Sequence, residues 1–133
     1  MAIAYSTTVR NAMLDTVTTN AGASALIRIY DGTRPATGGA TTNLLATLTC
    51  NATFAPASSG GVLTLNAITS GTGTAAAGAG TTATWFRLTT SGGTFVLDGS
   101  ISTSGSDLNM SSTTIATGQT VAISSFVLTE GNP

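Results

Sequence analysis

The sequence predicts a mainly β protein, either an antiparallel β-sandwich or a jelly-roll-like fold, with one short N-terminal helix. The strongest sign is a series of about seven or eight short apolar segments, roughly a dozen residues apart, with turn-forming residues between them. The chain is 41% apolar but only 7% charged, against roughly 25% charged residues in an average soluble protein. This composition is typical of a β-rich core covered by small hydroxyl side chains, and it argues against a disordered chain. With 133 residues the chain has the length of one domain, which we place at 1–133.

The N-terminal segment predicts the one helix, over about residues 7–20. Ser6 or Thr7 can supply the N-cap, and the Asn-Ala-Gly sequence at 20–22 ends the helix. Val9, Met13 and Val17 fall on one face of this helix. We therefore expect that face to pack across a sheet or against a neighbouring subunit.

Strand candidates follow the helix, and most of them alternate between apolar and polar positions. In the first of them Ala25, Ile27 and Ile29 share one face. In the last one the alternation changes phase, which a bulge at Ser124-Ser125 would explain. The predicted strands are 24–30, 44–50, 62–68, 84–90, 94–103, about 110–115 and about 120–129.

The stretch 83–104 predicts the central hairpin of the fold, with its turn at the Ser-Gly-Gly sequence 91–93. In the first strand Trp85 and Arg87 share one face, opposite an apolar Phe and Leu. We expect Trp85 to be buried, and Arg87 to stack on it or to pair with an acid such as Asp98.

The second strand of this hairpin places Phe95, Leu97 and Ile101 together on one face. The Asp98-Gly99 sequence within it is a bulge candidate. The single cysteine, Cys50, is expected to be a small buried hydrophobic residue.

Residues 69–82, with the sequence TSGTGTAAAGAGTT, form a low-complexity run of small side chains. Such side chains are too small to pack a core, so we predict a mobile loop here. Together with the 33–42 loop and the chain ends at 1–6 and 130–133, this loop is a candidate for contact with a partner.

The composition excludes several classes of function. The chain has no His and no Lys, so the usual catalytic bases and Schiff-base amines are missing, and the sequence predicts no catalytic residue, no metal site and no cofactor. A net charge of −1 argues against binding of nucleic acid or docking on a membrane surface. Because so few charges oppose self-association, we expect a homo-oligomer.

Two sets of side chains allow a second interpretation, in which they bind a ligand. Trp85, Tyr30 and Tyr5 could form a platform for stacking sugars, although a Trp buried on a central strand is the commoner case. The SGSDLN sequence at 104–109 could offer oxygens to Ca²⁺, although its charge is low and a structured turn is the simpler interpretation.

Nine short sequences, spread over nearly the whole chain, together resemble a family of small structural proteins of tailed bacteriophages. They are YST at 5–7, RNA at 10–12, LD at 14–15, RIYDGTRP at 28–35, FAP at 54–56, GT at 73–74, ATWFR at 83–87, DGS at 98–100 and SGSDLN at 104–109.

The resemblance implies a non-enzymatic virion protein, made in the cytoplasm of the host bacterium. Within that range we favour a capsid decoration (cement) protein whose partner is the major capsid protein. The alternative is a tail, baseplate or fibre-associated protein, including a receptor- or glycan-binding module. From turn chemistry and expected exposure, the candidate partner contacts are Ala2, Ile3, Tyr5, Arg34, Pro35, Thr74, Gly78, Asn132 and Pro133.

Overall fold

A computed structural model describes residues 3–123 and 126–130 of the chain. One helix and eleven short strands follow one another in these residues. They are α1 (Thr7–Ala21), β1 (Leu26–Tyr30), β2 (Leu44–Thr49), β3 (Val62–Thr64), β4 (Gly71–Thr72), β5 (Thr81–Thr82), β6 (Trp85–Thr89), β7 (Phe95–Ser102), β8 (Leu108–Asn109), β9 (Thr114–Ile115), β10 (Thr120–Val121) and β11 (Val127–Thr129).

The central element is a curled five-stranded sheet with the strand order β2-β1-β6-β7-β8. Its pairs are antiparallel except for β7 and β8, which run parallel. Three two-stranded ladders, β10-β4, β11-β3 and β5-β9, complete the strand pairing of the described residues. The fold is therefore mainly β with a helix at its N-terminus, as the sequence predicts.

The core lies on one face of the central sheet. Ile27 and Ile29 of β1 lie together on that face, as predicted, and they are fully buried beside Phe86 and Leu88 of β6. The ring of Phe126 meets that of Phe86 edge-on, with the centroids 5.1 Å apart, so the segment before β11 closes the core from the opposite side.

The hairpin of β6 and β7 has the predicted turn but not the predicted bulge. The amide of Thr90 donates to the carbonyl of Thr94 across the turn. Leu88 of β6 pairs with Leu97, but the next residue, Thr89, pairs with Phe95. Val96 therefore has no partner in β6 and forms a bulge. This bulge moves Phe95 to the opposite face from Leu97, which corrects the prediction that the two share a face.

The Asp98-Gly99 sequence keeps regular register instead of forming a bulge. Gly99 lies directly opposite Phe86, and a Cβ atom on Gly99 would come within 2.5 Å of that ring. The glycine is therefore needed for the close approach of the Phe86 ring and not for a special backbone conformation.

Helix α1 forms where predicted, but the predicted apolar face is not the buried one. Leu14 and Ala21 are buried and Val17 is partly buried, whereas Val9 and Met13 lie on the exposed side. The reason is a set of hydrogen bonds that hold the opposite side of the helix. The Asn11 side chain accepts from the Gly61 amide (2.9 Å), Asp15 accepts from the Ser58 amide (2.8 Å), and Arg10 donates to the Glu130 carbonyl (3.2 Å).

The segment 69–82 is not the mobile loop that its composition predicts. It forms β4, a 3-10 turn at Ala75–Ala77 and β5, and Ala77 is buried. Gly71 and Gly73 pass so close to the carbonyls of Thr47 and Ala116 that a Cβ atom on either glycine would overlap them. The small side chains therefore permit close backbone approach, which composition alone does not distinguish from mobility.

The region predicted as one last strand is divided between two ladders. β10 pairs with β4, and β11 pairs with β3, so the chain changes partner between them. This change of partner accounts for the change of phase, since the buried Val121 lies in β10 and the buried Phe126 directly precedes β11. The predicted bulge at Ser124-Ser125 lies outside the described residues.

The other strand predictions differ mainly in length. The strand predicted at 62–68 is only Val62–Thr64, and the one predicted at 110–115 is only Thr114–Ile115. A further short strand, Leu108–Asn109, lies in a region that we expected to be a loop.

Candidate functional site

The outer face of the central sheet carries a closed aromatic and charged cluster. Trp85 and Tyr30 are 1% and 4% exposed, and their rings stack with centroids 4.4 Å apart. The Trp85 indole N–H donates to the Asp31 carbonyl (2.9 Å) and to the Thr42 hydroxyl (3.1 Å) at the two ends of the loop that covers it. The sugar-platform interpretation is therefore wrong, because neither ring offers a free face.

Arg87 is held between this aromatic pair and its acid. Its Nε and Nη2 atoms donate to the two carboxylate oxygens of Asp98 at 2.7 and 2.9 Å, and Nη2 also donates to the Gly39 carbonyl at 3.0 Å. Its guanidinium carbon lies 5.4 Å from the Trp85 ring centroid and 5.1 Å from that of Phe95. Both predicted interactions of Arg87, stacking and pairing, are confirmed.

The pKa values in this cluster follow from burial and from the ion pair. Burial raises the pKa of Asp98, but the Arg87 hydrogen bond, the Gly38 amide and the charges of Arg87 and Arg34 together outweigh burial and lower it. The pKa of Arg87 is raised, first by its hydrogen bond to Asp98. Both groups therefore stay charged near neutral pH, and the cluster fastens the 31–43 loop to the sheet.

Four of the carboxylates in the described residues each accept a hydrogen bond from a backbone amide that lies seven or more residues away in the sequence. Carboxylates in this arrangement fix loops and helix contacts, and each is already engaged. The pairs are Asp15 with Ser58 (2.8 Å), Asp31 with Asn43 (3.0 Å), Asp98 with Gly38 (3.2 Å) and Asp107 with Ser100 (2.9 Å).

The region that was considered for Ca²⁺ is a turn built on these bonds. Asp107 accepts from both the amide and the hydroxyl of Ser100, and Asn109 bridges back to Ser106. Within residues 3–123 and 126–130, no group of three or more His, Cys, Asp or Glu side chains is placed to hold a metal ion. In the same residues no helix has the length and apolar character needed to cross a membrane.

Cys50 is buried as predicted, with 3% of its surface exposed. Loss of solvent raises the pKa of its thiol to about 11. The thiol is therefore protonated and inert at neutral pH, because the thiolate is the reactive form.

The predicted partner contacts fall into separate regions of the molecule. Ile3 and Tyr5 lie on the exposed N-terminal segment that leads into α1. Ala2, Asn132 and Pro133 lie outside the described residues.

Arg34 and Pro35 belong to the 31–43 loop, on the outer face of the sheet. Arg34 is exposed and Pro35 is half-buried. The positive charge of Arg34 contributes to the low pKa of Asp98, so this side chain serves the loop attachment as well as offering an exposed group.

Thr74 and Gly78 lie at the ends of the 3-10 turn. The Thr74 hydroxyl donates to the Leu44 carbonyl, and its amide donates to the Leu45 carbonyl (2.8 Å). The Gly78 carbonyl accepts from the Thr117 amide (2.9 Å). These hydrogen bonds hold the turn to β2 and to the 116–119 turn, so Thr74 is mainly a structural residue and Gly78 is an exposed backbone position.

One continuous stretch of sequence carries most of the large exposed apolar side chains. We call Ile3, Tyr5, Val9 and Met13 the N-terminal apolar surface; their side chains are 62%, 41%, 42% and 39% exposed. Val9 and Met13 are one helical turn apart, so they lie on the same side of α1. The sequence shows the spacing of these two residues, but which side of the helix is buried follows from the hydrogen bonds of Asn11 and Asp15.

A groove that sequence reasoning missed lies on the other flank of the helix. It has a volume of about 370 Å³ and runs between α1, β7 and β11. Residues of four separate segments line the groove, so no local sequence pattern predicts it. Its lining is Leu14, Val17, Leu97, Ser106, Asp107, Val127, Leu128, Thr129 and Glu130.

Comparison with known proteins adds no relative: no protein family, no curated protein and no solved structure matches this chain.

Proposed function

We propose that the protein is a non-enzymatic structural protein of a tailed bacteriophage virion, made in the host cytoplasm. Within the particle we propose a capsid decoration role, in which many copies bind the outside of the major capsid protein shell. We further propose that the mainly β fold belongs to the sandwich or jelly-roll type.

The observation that carries this proposal is the N-terminal apolar surface. Full burial of one Val, Ile or Met side chain contributes about 1.5–3 kcal/mol, and these side chains are only partly exposed, so each offers less than that. Burial of these four side chains together would give each copy a modest binding free energy. On a symmetric shell, repeated contacts of this kind add up if the copies are linked as an oligomer.

The rest of the molecule supports a structural role. Trp85, Arg87 and Asp98 are engaged with one another and with the 31–43 loop, so the outer sheet face is already filled. The N-terminal segment and the outer side of α1, by contrast, expose large apolar side chains, among them Ile3, Val9 and Met13. A stable body with an exposed apolar helix side suits attachment to a larger assembly.

Intact particles test the proposal. Heads and tails are separated from purified virions, and the protein is quantified by mass spectrometry relative to the major capsid protein. We expect a copy number comparable to that of the capsid protein, found in the head fraction. A few copies confined to the tail fraction would instead identify a tail, baseplate or fibre-associated protein.

A pair of variants tests the surface itself. Replacement of Val9 and Met13 by Gln should leave the purified protein folded but lower its occupancy on particles that lack the native protein. The matched control is Ala12→Ser, which changes another exposed position of α1 without removing a large apolar side chain. Equal occupancy for both proteins would rule out this surface as the attachment site.

A further inference from the structure

The groove between α1, β7 and β11 is bordered by a strand edge that lacks a neighbour. In β7, the Ile101 amide donates to the carbonyl of Thr84, the residue just before β6 (3.0 Å). Because backbone groups alternate in direction along an antiparallel strand, Asp98 and Ser100 direct theirs away from β6. The Ser100 amide is bonded to Asp107, but β8 pairs only with Ile101 and the following Ser. Within the described residues, the backbone of Asp98 therefore meets no further strand.

Strand β11 also has an edge without a neighbouring strand, on the side that faces away from β3. The Leu65 amide donates to Phe126 (3.0 Å), and the Glu130 amide donates to Gly61 (2.9 Å). By the same alternation, Val127 and Thr129 direct their amides and carbonyls away from β3. None of the strands that the structure describes pairs with this edge.

Both strands contribute to the lining of the groove, together with the helix. Leu97 comes from β7, Val127 comes from β11, and Leu14 and Val17 come from α1. The groove therefore combines apolar side chains with the outward backbone groups of Val127 and Thr129, which have no strand partner, and Asp98 directly follows its lining residue Leu97. An extended peptide supplies both kinds of complement, through alternate side chains and through its own backbone.

Two carboxylates that have no ion-pair partner among the described residues lie at this groove. Asp107 and Glu130 line it, and the one ion pair among the described residues is the distant one between Arg87 and Asp98. Arg10 lies near Glu130, but its guanidinium donates to the backbone carbonyl of Glu130 and to the Thr7 hydroxyl. The groove is thus apolar with net negative charge, which complements a basic segment.

We infer that this groove accepts a strand from a partner protein: an extended segment, apolar at alternate positions and flanked by Lys or Arg. The segment adds to the open edges of β7 and β11, and its basic residues face Asp107 and Glu130. This inference concerns a site separate from the N-terminal apolar surface, and it does not depend on the virion assignment.

Selection from peptide libraries tests the inference with the purified full chain. One displayed library holds short peptides in which Val, Ile, Leu or Thr alternates with random residues between flanking Lys residues. A matched library carries Glu in place of each flanking Lys. We expect binders to be enriched from the Lys library only, and their affinity to fall as salt concentration rises, because charge attraction is screened.

The variant Val127→Pro tests the backbone contribution. Proline is tolerated on an edge strand where the N–H faces outward, so the β3 ladder stays intact while the outward donor is lost. We expect the affinity of the selected peptides to fall by about tenfold or more, which corresponds to about 1.4 kcal/mol. The matched control Val127→Thr keeps the N–H and should bind within about threefold of the unaltered protein.

A second measurement keeps the test decisive if Val127→Pro does not fold. N-methylation of alternate amides in a selected peptide removes its backbone donors and leaves the protein unchanged. Alternate amides can be methylated in two patterns, or registers, and we expect the register that removes the donors facing the protein to abolish binding. In the unmethylated complex, we expect the amides of Asp98, Val127 and Thr129 to gain protection from hydrogen exchange.

Three results would overturn the inference: no enrichment from the Lys library, full binding by both methylation registers, or protection confined to amides elsewhere in the molecule. Since all three are measured on the isolated protein, they are separate from the copy number in virions that tests the proposed function.

Discussion

Arg87 shows how one residue can serve the fold in four ways at once. It pairs with Asp98, hydrogen-bonds the Gly39 carbonyl, and lies against the rings of Trp85 and Phe95. The side chains of Arg87 and Asp98 are only 11% and 4% exposed, so the pair is largely removed from water. Breaking a buried pair by removing one partner costs about 3–5 kcal/mol, because the remaining charge is left uncompensated.

The lowered pKa of Asp98 predicts a contribution to acid unfolding. In the unfolded chain an Asp has a pKa of about 3.9, and in the folded protein that of Asp98 lies lower. The ion pair therefore stabilises the protein fully above about pH 4, and this stability is lost as the pH falls through the folded-state pKa. The free energy of unfolding in urea is measured for the unaltered protein and for Asp98→Asn at a series of pH values from neutral to acid. We expect the unaltered protein to be more stable near neutral pH and the two free energies to converge in acid. Parallel curves would contradict the assignment.

The contact between Gly99 and Phe86 predicts a large effect from one methyl group. In Gly99→Ala the new Cβ atom would lie within 2.5 Å of the Phe86 ring, so the core must shift. We expect the free energy of unfolding to fall by about 1–3 kcal/mol. The matched control is Gly92→Ala in the turn of the same hairpin, where the nearest atom is 3.9 Å away, and it should change stability by less than about 0.5 kcal/mol. Equal effects in a thermal melt would refute the close contact.

At the scale of the element, helix α1 is attached by polar groups as much as by apolar ones. Asn11 and Asp15 bind backbone amides of the 58–61 turn, and Leu14 is the main apolar side chain that is buried. A helix fixed in this way can leave Val9 and Met13 at the surface. The spacing of apolar residues therefore located the helix correctly but did not show which side faces the core.

Truncation of two adjacent residues of α1 should change the stability of the protein by very different amounts. Leu14→Ala removes a buried side chain and should lower the free energy of unfolding by about 2–5 kcal/mol. Met13→Ala removes an exposed one and should change it by less than about 0.5 kcal/mol. Chemical denaturation of the two variants measures these free energies. A larger loss of stability in Met13→Ala than in Leu14→Ala would show that the other side of the helix faces the core.

For the whole molecule, short ladders joined by close backbone contacts replace long strands. β4 and β10 pair over only two residues each, and Gly71 and Gly73 let the chain pass against Thr47 and Ala116. Small side chains are thus part of the packing, and the segment 69–82 closes the core although it has no large apolar residue. We expect such a core to open as one unit, because its closing segments are held by ladders too short to be stable alone.

The thiol of Cys50 reports on that opening. It is 3% exposed and its pKa is raised to about 11, so a thiol reagent at mildly alkaline pH should not label the native protein. We expect labelling to appear only with denaturant, at concentrations where the tryptophan fluorescence also changes. Rapid labelling of the native protein would show that the core opens locally around this residue.

Several features of this protein follow from its residues alone. Strand alternation predicts the mainly β class, Ser-Gly-Gly predicts the turn of the central hairpin, and the shared face of Trp85 and Arg87 predicts their contact. These predictions are reliable because each rests on backbone geometry or on neighbours within a single strand or hairpin.

Other features are decided only by tertiary structure. The buried side of α1, the bulge at Val96, the ordered 69–82 segment and the groove between β7 and β11 each depend on segments far apart in the chain. Alternation and periodicity describe one element at a time, and they do not contain the position of a partner element. For that reason the sequence predicts the elements and the central hairpin of this protein, while its exposed apolar surface and its unpaired strand edges appear only once the chain is folded.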